Sequence, residues 1–402
     1  MHIHRVKYKD IEQVPQIHIN KSFKQDFAGS APAPFIGRVG YPYVNMGVLS
    51  PQFLGETSHY DAPRMWGKGK FSIGQIASLR YGLVNSRMKW NIKDVQRSNR
   101  FLEITQEVGM ATKPVELEVN LQKIPALHLT QETDITPFGP ASEVKFARIT
   151  NNAKIDTRVE RVVRDTDLRA APAILSLYQK GFEESRLNKL ISVGGLGLGG
   201  KRKLVPTRWS ITAVDDTIGK ELIGKVKDLA IGEYQVFFGG HFGNYYLVLC
   251  FPEVWSYELF ETYLSKPVNP WSKEGYAYST DYEDYGGRKT YAEETAGGYY
   301  AARLPILEKL NEMKRQCGVL ALRFITNEYT VPLGVWVCRE ATRRSMQDEK
   351  PVLFASEELM LSYVRQFISS KFGFEVDLLL RESKLLRNKK RQKKLCEYGV
   401  GL

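Results

Sequence analysis

The groups in this chain that could do chemistry are few and scattered. Asp215 and Asp216 are adjacent carboxylates that follow Arg208 closely. Paired carboxylates can share a divalent metal for phosphodiester cleavage. The alternation of Trp209, Ile211 and Ala213 predicts a strand leading into them, and neighbours on a strand point to opposite faces. A metal would then need a further carboxylate, for which Glu160, Asp165 and Asp167 are available. The simpler role is a cap, with Asp216 opening a helix over 217–222. A second signal is the glycine-rich run from Gly194 to Gly200, followed by Lys201, Arg202 and Lys203. From Gly195 it reads G-x-x-x-x-G-K, near to a phosphate-binding loop. Arg202 stands where a Ser or Thr would hold magnesium, and an extended 204–209 with Pro206 excludes the helix such a loop must open. The overlapping G-x-G-x-x-G fails the same context test. A basic loop touching nucleic-acid phosphates suits the residues better, and a solvated turn is the plain alternative. His59 and His241 have no nucleophile or ligand set beside them and read as structural residues.

The sharpest pattern is at the C-terminal end. Gln392, Leu395 and Tyr398 have the spacing Q-x-x-Φ-x-x-aromatic. One tight turn places positions three apart on one side, so Leu395 and Tyr398 project together beside the Gln amide. This resembles the peptide, often called the PIP motif, by which replication and repair proteins dock on a PCNA-type sliding clamp. Gly399 stands where a second aromatic is usual, which implies weaker binding. Arg387, Lys389, Lys390 and Arg391 precede the motif and would steer it electrostatically. From Arg381 to Leu402 the charge is +6, half of the net +12 of the 402 residues. A concentrated cation of this kind suits a polyanion or an acidic partner; a solvated, frayed terminus is the plain alternative.

The elements that must position these groups belong to an ordinary globular chain, 43% apolar and 25% charged. No stretch is apolar enough to span a bilayer and no signal peptide opens the chain, so the expectation is a cytoplasmic protein without membrane contact. Cys250, Cys317, Cys338 and Cys396 form no C-x-x-C pair, which suggests neither a disulfide frame nor a zinc site. Residues 1–27 read as irregular, 28–380 as the body, with a division into subdomains near 150–170, and 381–402 as the basic tail. Helices are expected from Ser72, from Pro172 to about Leu190, along Leu304, Leu307 and Leu310, behind a Ser356 cap, and from Asp377 into the tail. Strands are expected near Phe35–Tyr41, 115–121, 144–149, 158–163, 319–325 and 331–337, with a hairpin where 234–238 and 245–251 flank a glycine-rich turn. Residues 265–298 read as a Tyr-rich insertion whose four basic and six acidic residues between Lys266 and Glu294 do not suit a phosphate backbone. This mixed order predicts an α+β fold, with mixed, largely antiparallel sheets, packed helices and a basic C-terminal helix or tail.

Several stretches resemble the archaeal Nre family of DNA-repair proteins: APFIGRVGYP at 33–42, VNMG at 44–47, YDAP at 60–63, VPTRWSITAVDDTIG at 205–219, GGYYAAR at 297–303 and VPLGVWVCRE at 331–340. The resemblance implies work on damaged DNA and clamp docking by the C-terminal peptide. It supplies no catalytic residue. Relatives often begin with a Cys-rich, zinc-finger-like segment; here no cysteine precedes Cys250, so a metal-binding N-terminus is not expected.

The reading that results is a repair accessory that docks on the sliding clamp through Gln392, Leu395 and Tyr398, needs no cofactor, and contacts DNA phosphates with Arg38, Lys201, Arg202, Lys203 and Arg208. The alternative is a metal-dependent nuclease or phosphodiesterase using Asp215 and Asp216. A pure interaction scaffold is a third class, which DNA-binding measurements separate from the first.

Overall fold

Apolar and polar residues alternate strictly from Val115 to Leu121, and in the computed structural model these seven residues form a strand with every second side chain buried. The structure describes residues 3–5, 22–126, 135–264, 275–347 and 350–391. They fall into two compact units, one within Val14–Lys220 and Val331–Val337, the other within Met1–Gln13, Glu221–Thr330 and Cys338–Leu402. The boundary between Lys220 and Glu221 falls inside the helix Thr207–Lys227.

The first unit is built on a six-stranded sheet in the order Asp26–Ala31, Val115–Leu121, Ala141–Ile149, Val84–Asn91, Tyr43–Ser50, Ala33–Ile36. Only the pairing of Val84–Asn91 with Ala141–Ile149 is parallel. One face carries Val44, Met46, Val48, Leu117 and Val119, which pack with Phe101, Leu102, Ile104 and Val108 of the helix Arg100–Met110. Each such side chain removed from water contributes roughly 1.5–3 kcal/mol. Asn99 starts that helix by accepting the amide hydrogens of Phe101 and Leu102. On the opposite face Leu49, Leu83, Ile135 and Phe138 form a smaller cluster, with Ile211 against it.

Several sequence expectations fail in this unit. The strand at 158–163 is the helix Thr157–Arg164, capped by Asp156; Val159 and Val162 are three apart and both buried, which is a helical spacing. The alternation at 209–213 belongs to the helix Thr207–Lys227, because the wider pattern of buried Val214, Ile218, Leu222 and Val226 repeats every four residues and outweighs it. Pro206 precedes this helix instead of breaking it: its carbonyl accepts the amide hydrogen of Ser210, and it has no N–H to lose. Residues 331–335 are irregular, since Gly334 has φ +93° and a Cβ there would lie 2.7 Å from the Ile135 carbonyl carbon. The single helix expected from Pro172 to Leu190 is two, Ala170–Gln179 and Glu184–Ser192, divided by Gly181 at φ +85°.

The second unit holds a seven-stranded sheet in the order Ile3–Arg5, Tyr276–Glu283, Ser256–Tyr263, Gly318–Ile325, Asn244–Phe251, Tyr234–His241, Val352–Phe354. Four of its six pairings are antiparallel. The expected hairpin is present, closed by Phe242 and Gly243 at φ 53° and 69°. The presumed insertion instead supplies a sheet strand, Tyr276–Glu283. One face, with Leu247, Leu249, Phe260, Leu320 and Leu322, packs against Glu357–Phe372, Asp377–Glu382 and Lys384–Arg391. Ser356 caps the first of these helices through the amide of Leu359. The other face carries Tyr246, Glu261 and Arg323 among apolar Val248, Leu259 and Ala321, and lies under the helix Ala296–Met313. The fold is α+β with mixed, largely antiparallel sheets, and the basic C-terminal segment begins as a helix.

Candidate nucleic-acid interface

Four segments of the first unit are joined by hydrogen bonds into one basic and aromatic surface. The turn at 37–43 links two sheet strands; Gly37 N–H donates to Asn45 O (2.8 Å) and Tyr43 N–H to Gly40 O (2.9 Å). Its Gly40, at φ +84°, has the Tyr43 carbonyl 2.8 Å from where a Cβ would stand. The turn exposes Arg38, Val39, Tyr41 and Tyr43, with Val39 at 76% and Tyr43 at 61%. Its Pro42 carbonyl accepts Ile92 N–H (3.0 Å), which brings in the segment with Lys93 and Arg97. The Ile92 carbonyl accepts Leu204 N–H (2.8 Å), and the Gln96 amide donates to Gly199 O (2.9 Å), which adds Lys201 and Lys203. Ile36 N–H donates to the Thr207 hydroxyl (3.0 Å), which fixes the start of the helix that carries Arg208 and Trp209. The rings of Tyr41 and Trp209 meet with centroids 5.3 Å apart, tilted by 55°. Asp94, Asp165 and Asp167 are the acidic residues in or beside these segments. Asp94 lies 4.0 Å from Arg97, and Asp165 accepts the amides of Asp167 and Leu168.

Of the residues expected to meet phosphate, Arg38, Lys201, Lys203 and Arg208 lie on these joined segments. Arg202 has another task. Its guanidinium donates to the carbonyls of Gly197 (2.7 Å), Val163 (2.7 Å) and Asp165 (2.9 Å) and so clamps the glycine-rich turn. Burial lowers its pKa, but a guanidinium stays charged throughout the working range. The sequence reading missed Tyr41, Tyr43, Trp209, Lys93 and Arg97. The available signal was the acid-free run from Gly37 to Tyr43, with two tyrosines among its seven residues.

The nuclease alternative draws on Asp215 and Asp216. They sit in mid-helix, where Asp215 is fully buried and Asp216 pairs with Lys220 at 2.6 Å. Glu160 pairs with Arg164 at 2.7 Å. Among the described residues no group of three or more His, Cys, Asp or Glu is placed to hold a metal. Gln392, Leu395 and Tyr398 lie outside the described residues, which end at Arg391 with the helix Lys384–Arg391.

Two buried charge clusters coincide with other motif stretches. In YDAP, Asp61 is gripped by Arg80 (2.7 Å) and Lys189 (2.6 Å). Burial alone would push its carboxyl up, but the two cations outweigh that and hold it below the usual aspartate range. In the second unit, Ser279, Glu261, Arg323, Tyr246 and Gly239 stand in one transverse row across five strands. Arg323 pairs with Glu261, and its Nε donates to Asn244 Oδ1 (3.0 Å). Arg303 of GGYYAAR bonds Glu283 (2.7 Å) and lies over the rings of Tyr299 and Tyr300. Gly298 sits over Glu261, whose Oε1 would be 2.5 Å from any Cβ. Burial pushes the hydroxyls of Tyr246, Tyr257 and Tyr299 far up, so they stay neutral donors. These charges face one another and fix how the helix Ala296–Met313 sits on the sheet.

The family described as archaeal Nre, N-terminal, matches residues 8–272, and its C-terminal counterpart matches residues 283–398. The chain is 34% identical to the DNA repair protein NreB of Archaeoglobus fulgidus over 96% of this chain and 95% of that one. It is 36% identical to the DNA repair protein NreA of Haloferax volcanii over 80% and 78% of the two chains, and 34% identical to NreA of Archaeoglobus fulgidus over 85% of each. No solved structure matches it.

Proposed function

The chain belongs to the archaeal Nre family, and we propose that it is a cytoplasmic DNA-repair accessory protein. It docks on the sliding clamp through Gln392, Leu395 and Tyr398 and contacts DNA with Arg38, Lys201, Lys203 and Arg208. The DNA-repair role rests on the names of its relatives. The observation that carries the DNA contact is the hydrogen-bonded surface itself: cations from four segments are held beside exposed aromatics, an arrangement suited to a polyanion. Among the described residues no helix is long and apolar enough to cross a membrane.

The clamp reading is supported by how the tail is launched. The helix Lys384–Arg391 is pinned at its start to the sheet by Glu258 and near its end to the helix Glu357–Phe372 by the Lys389–Glu357 pair, so Gln392 follows directly on an anchored segment. The C-terminal family match also extends to residue 398. The test is a calorimetric titration of a sliding clamp from the same organism with the full chain and with a Leu395→Ala/Tyr398→Ala variant. Saturable binding that disappears in the variant is the expected result. Absence of binding by the unaltered chain overturns the clamp assignment.

A further inference from the structure

We propose that Tyr41 and Trp209 form a stacking platform for an unpaired base, so that this surface prefers single-stranded or locally melted DNA to intact duplex. The inference rests on the DNA-binding reading above and adds a substrate class to it.

Three observations lead there. Two large aromatic rings stand side by side in water, Tyr41 47% and Trp209 45% exposed, although rings of this size usually gain by burial. Both are held by main chain: Tyr41 lies in the turn closed by the Tyr43–Gly40 hydrogen bond, and Trp209 in the first turn of a helix tied to Ile36. A base that stacks on them therefore meets a platform that is already ordered. Cations stand on every joined segment: Arg38 within the turn, Lys93 and Arg97 beyond Ile92, Lys201 and Lys203 before Leu204, and Arg208 next to Trp209.

The combination discriminates between ligands. Intact duplex offers phosphates but keeps the base faces stacked on one another. A single strand offers a phosphate for each cation together with a free π-face for the rings. Tyr43 and Val39, exposed on the same turn, extend the apolar surface for a neighbouring base.

The full chain would be titrated by fluorescence anisotropy, at one fixed salt concentration, with oligo-thymidine, with a duplex of equal length, and with that duplex carrying an internal unpaired tract. The expected result is binding to the first and third on the order of tenfold tighter than to the second. Tyr41→Ala and Trp209→Ala should each erase most of that ratio, while Tyr41→Phe, which keeps the ring, preserves it. Arg38→Ala should weaken all three ligands alike. Equal affinity of the unaltered chain for all three overturns the stacking platform and leaves the basic surface standing. Alanine variants that keep the preference also overturn it. No binding to any of the three removes both the platform and the DNA-binding surface beneath it.

Discussion

The carboxylate of Glu258, in the middle of a sheet strand, accepts the amide hydrogen of Leu385, 127 positions further along the chain, at 3.0 Å. It also accepts the amide of Lys384 at 2.9 Å and the hydroxyl of Ser383. A helix leaves its first amides without internal partners, and here a remote side chain supplies them. Burial pushes the Glu258 carboxyl up, while the three donors work against that. At the helix's other end Lys389 pairs with Glu357 and lies 5.2 Å from the Tyr234 ring centre. The clamp-type peptide is thus attached to a helix with its own anchorage on the sheet.

Replacing Glu258 with Ala should loosen that helix without unfolding the unit. Loss of a helix cap costs about 1 kcal/mol, roughly a fivefold change in a local opening equilibrium. Hydrogen exchange at the amides of 384–386 should accelerate accordingly, while the strand amides of 318–325 stay protected. Unchanged exchange at 384–386 would mean that apolar packing of Leu385 and Leu386 holds the helix without the cap.

The Arg323–Glu261 pair predicts an asymmetric response. Truncating one member strands the other in a site with almost no water, which costs about 3–5 kcal/mol. Arg323→Met should show that loss in urea unfolding. The double variant Glu261→Met/Arg323→Met should recover much of it, because no charge is then left buried. If the double variant is no more stable than the single, Asn244 and the tyrosines, rather than the ion pair, set the energy of this row.

What the sequence revealed followed the range of its signals. Strict alternation at 115–121, the Ser356 cap with Glu357 and Glu358, and the turn at 242–243 are local patterns, and each formed the expected element. The misreading at 209–213 came from too short a window: three alternating residues outvoted a four-residue repeat that shows only when Val214, Ile218, Leu222 and Val226 are read together. The surface around Tyr41 was only half legible. Arg38, Lys201, Lys203 and Arg208 stood out as cations beside loops, but that Tyr41 meets Trp209 depends on the Ile36–Thr207 hydrogen bond across 171 positions. The clamp made by Arg202 was not legible for the same reason, since the three carbonyls that it meets are set by tertiary structure.

Asp61 gives a pH dependence whose sign can be worked out. Its folded pKa is lowered, so the unfolded chain binds its proton more readily. The stability that it contributes is complete above the ordinary aspartate pKa of about 3.9 and is lost as pH falls from there through the lower folded value. Asp61→Asn should be less stable at neutral pH, because Arg80 and Lys189 lose their counter-charge. It should also lose less on acidification. Denaturant unfolding of both proteins from about pH 7 to about pH 3 measures this. Parallel losses in the two proteins would show that Asp61 does not contribute to the acid limb.

The last prediction separates the cations of the DNA surface from the one that only builds it. A cation that meets a phosphate releases a counterion, so its removal should reduce the slope of log affinity against log salt by about 0.7 for a single strand. Arg38→Ala, Lys201→Ala, Lys203→Ala and Arg208→Ala should each do this. Arg202→Ala should do the reverse. Its three hydrogen bonds to the carbonyls of Gly197, Val163 and Asp165 would be lost, and a hydrogen bond within a protein contributes about 0.5–1.5 kcal/mol. Stability should therefore fall, while the salt slope stays at its original value as long as the chain is folded. The two effects come from basic residues of one surface, so a general loss of positive charge cannot mimic both. If Arg202→Ala lowers the slope as much as its neighbours do, the guanidinium leaves its carbonyls when DNA binds, and the glycine-rich turn is part of the contact rather than its support.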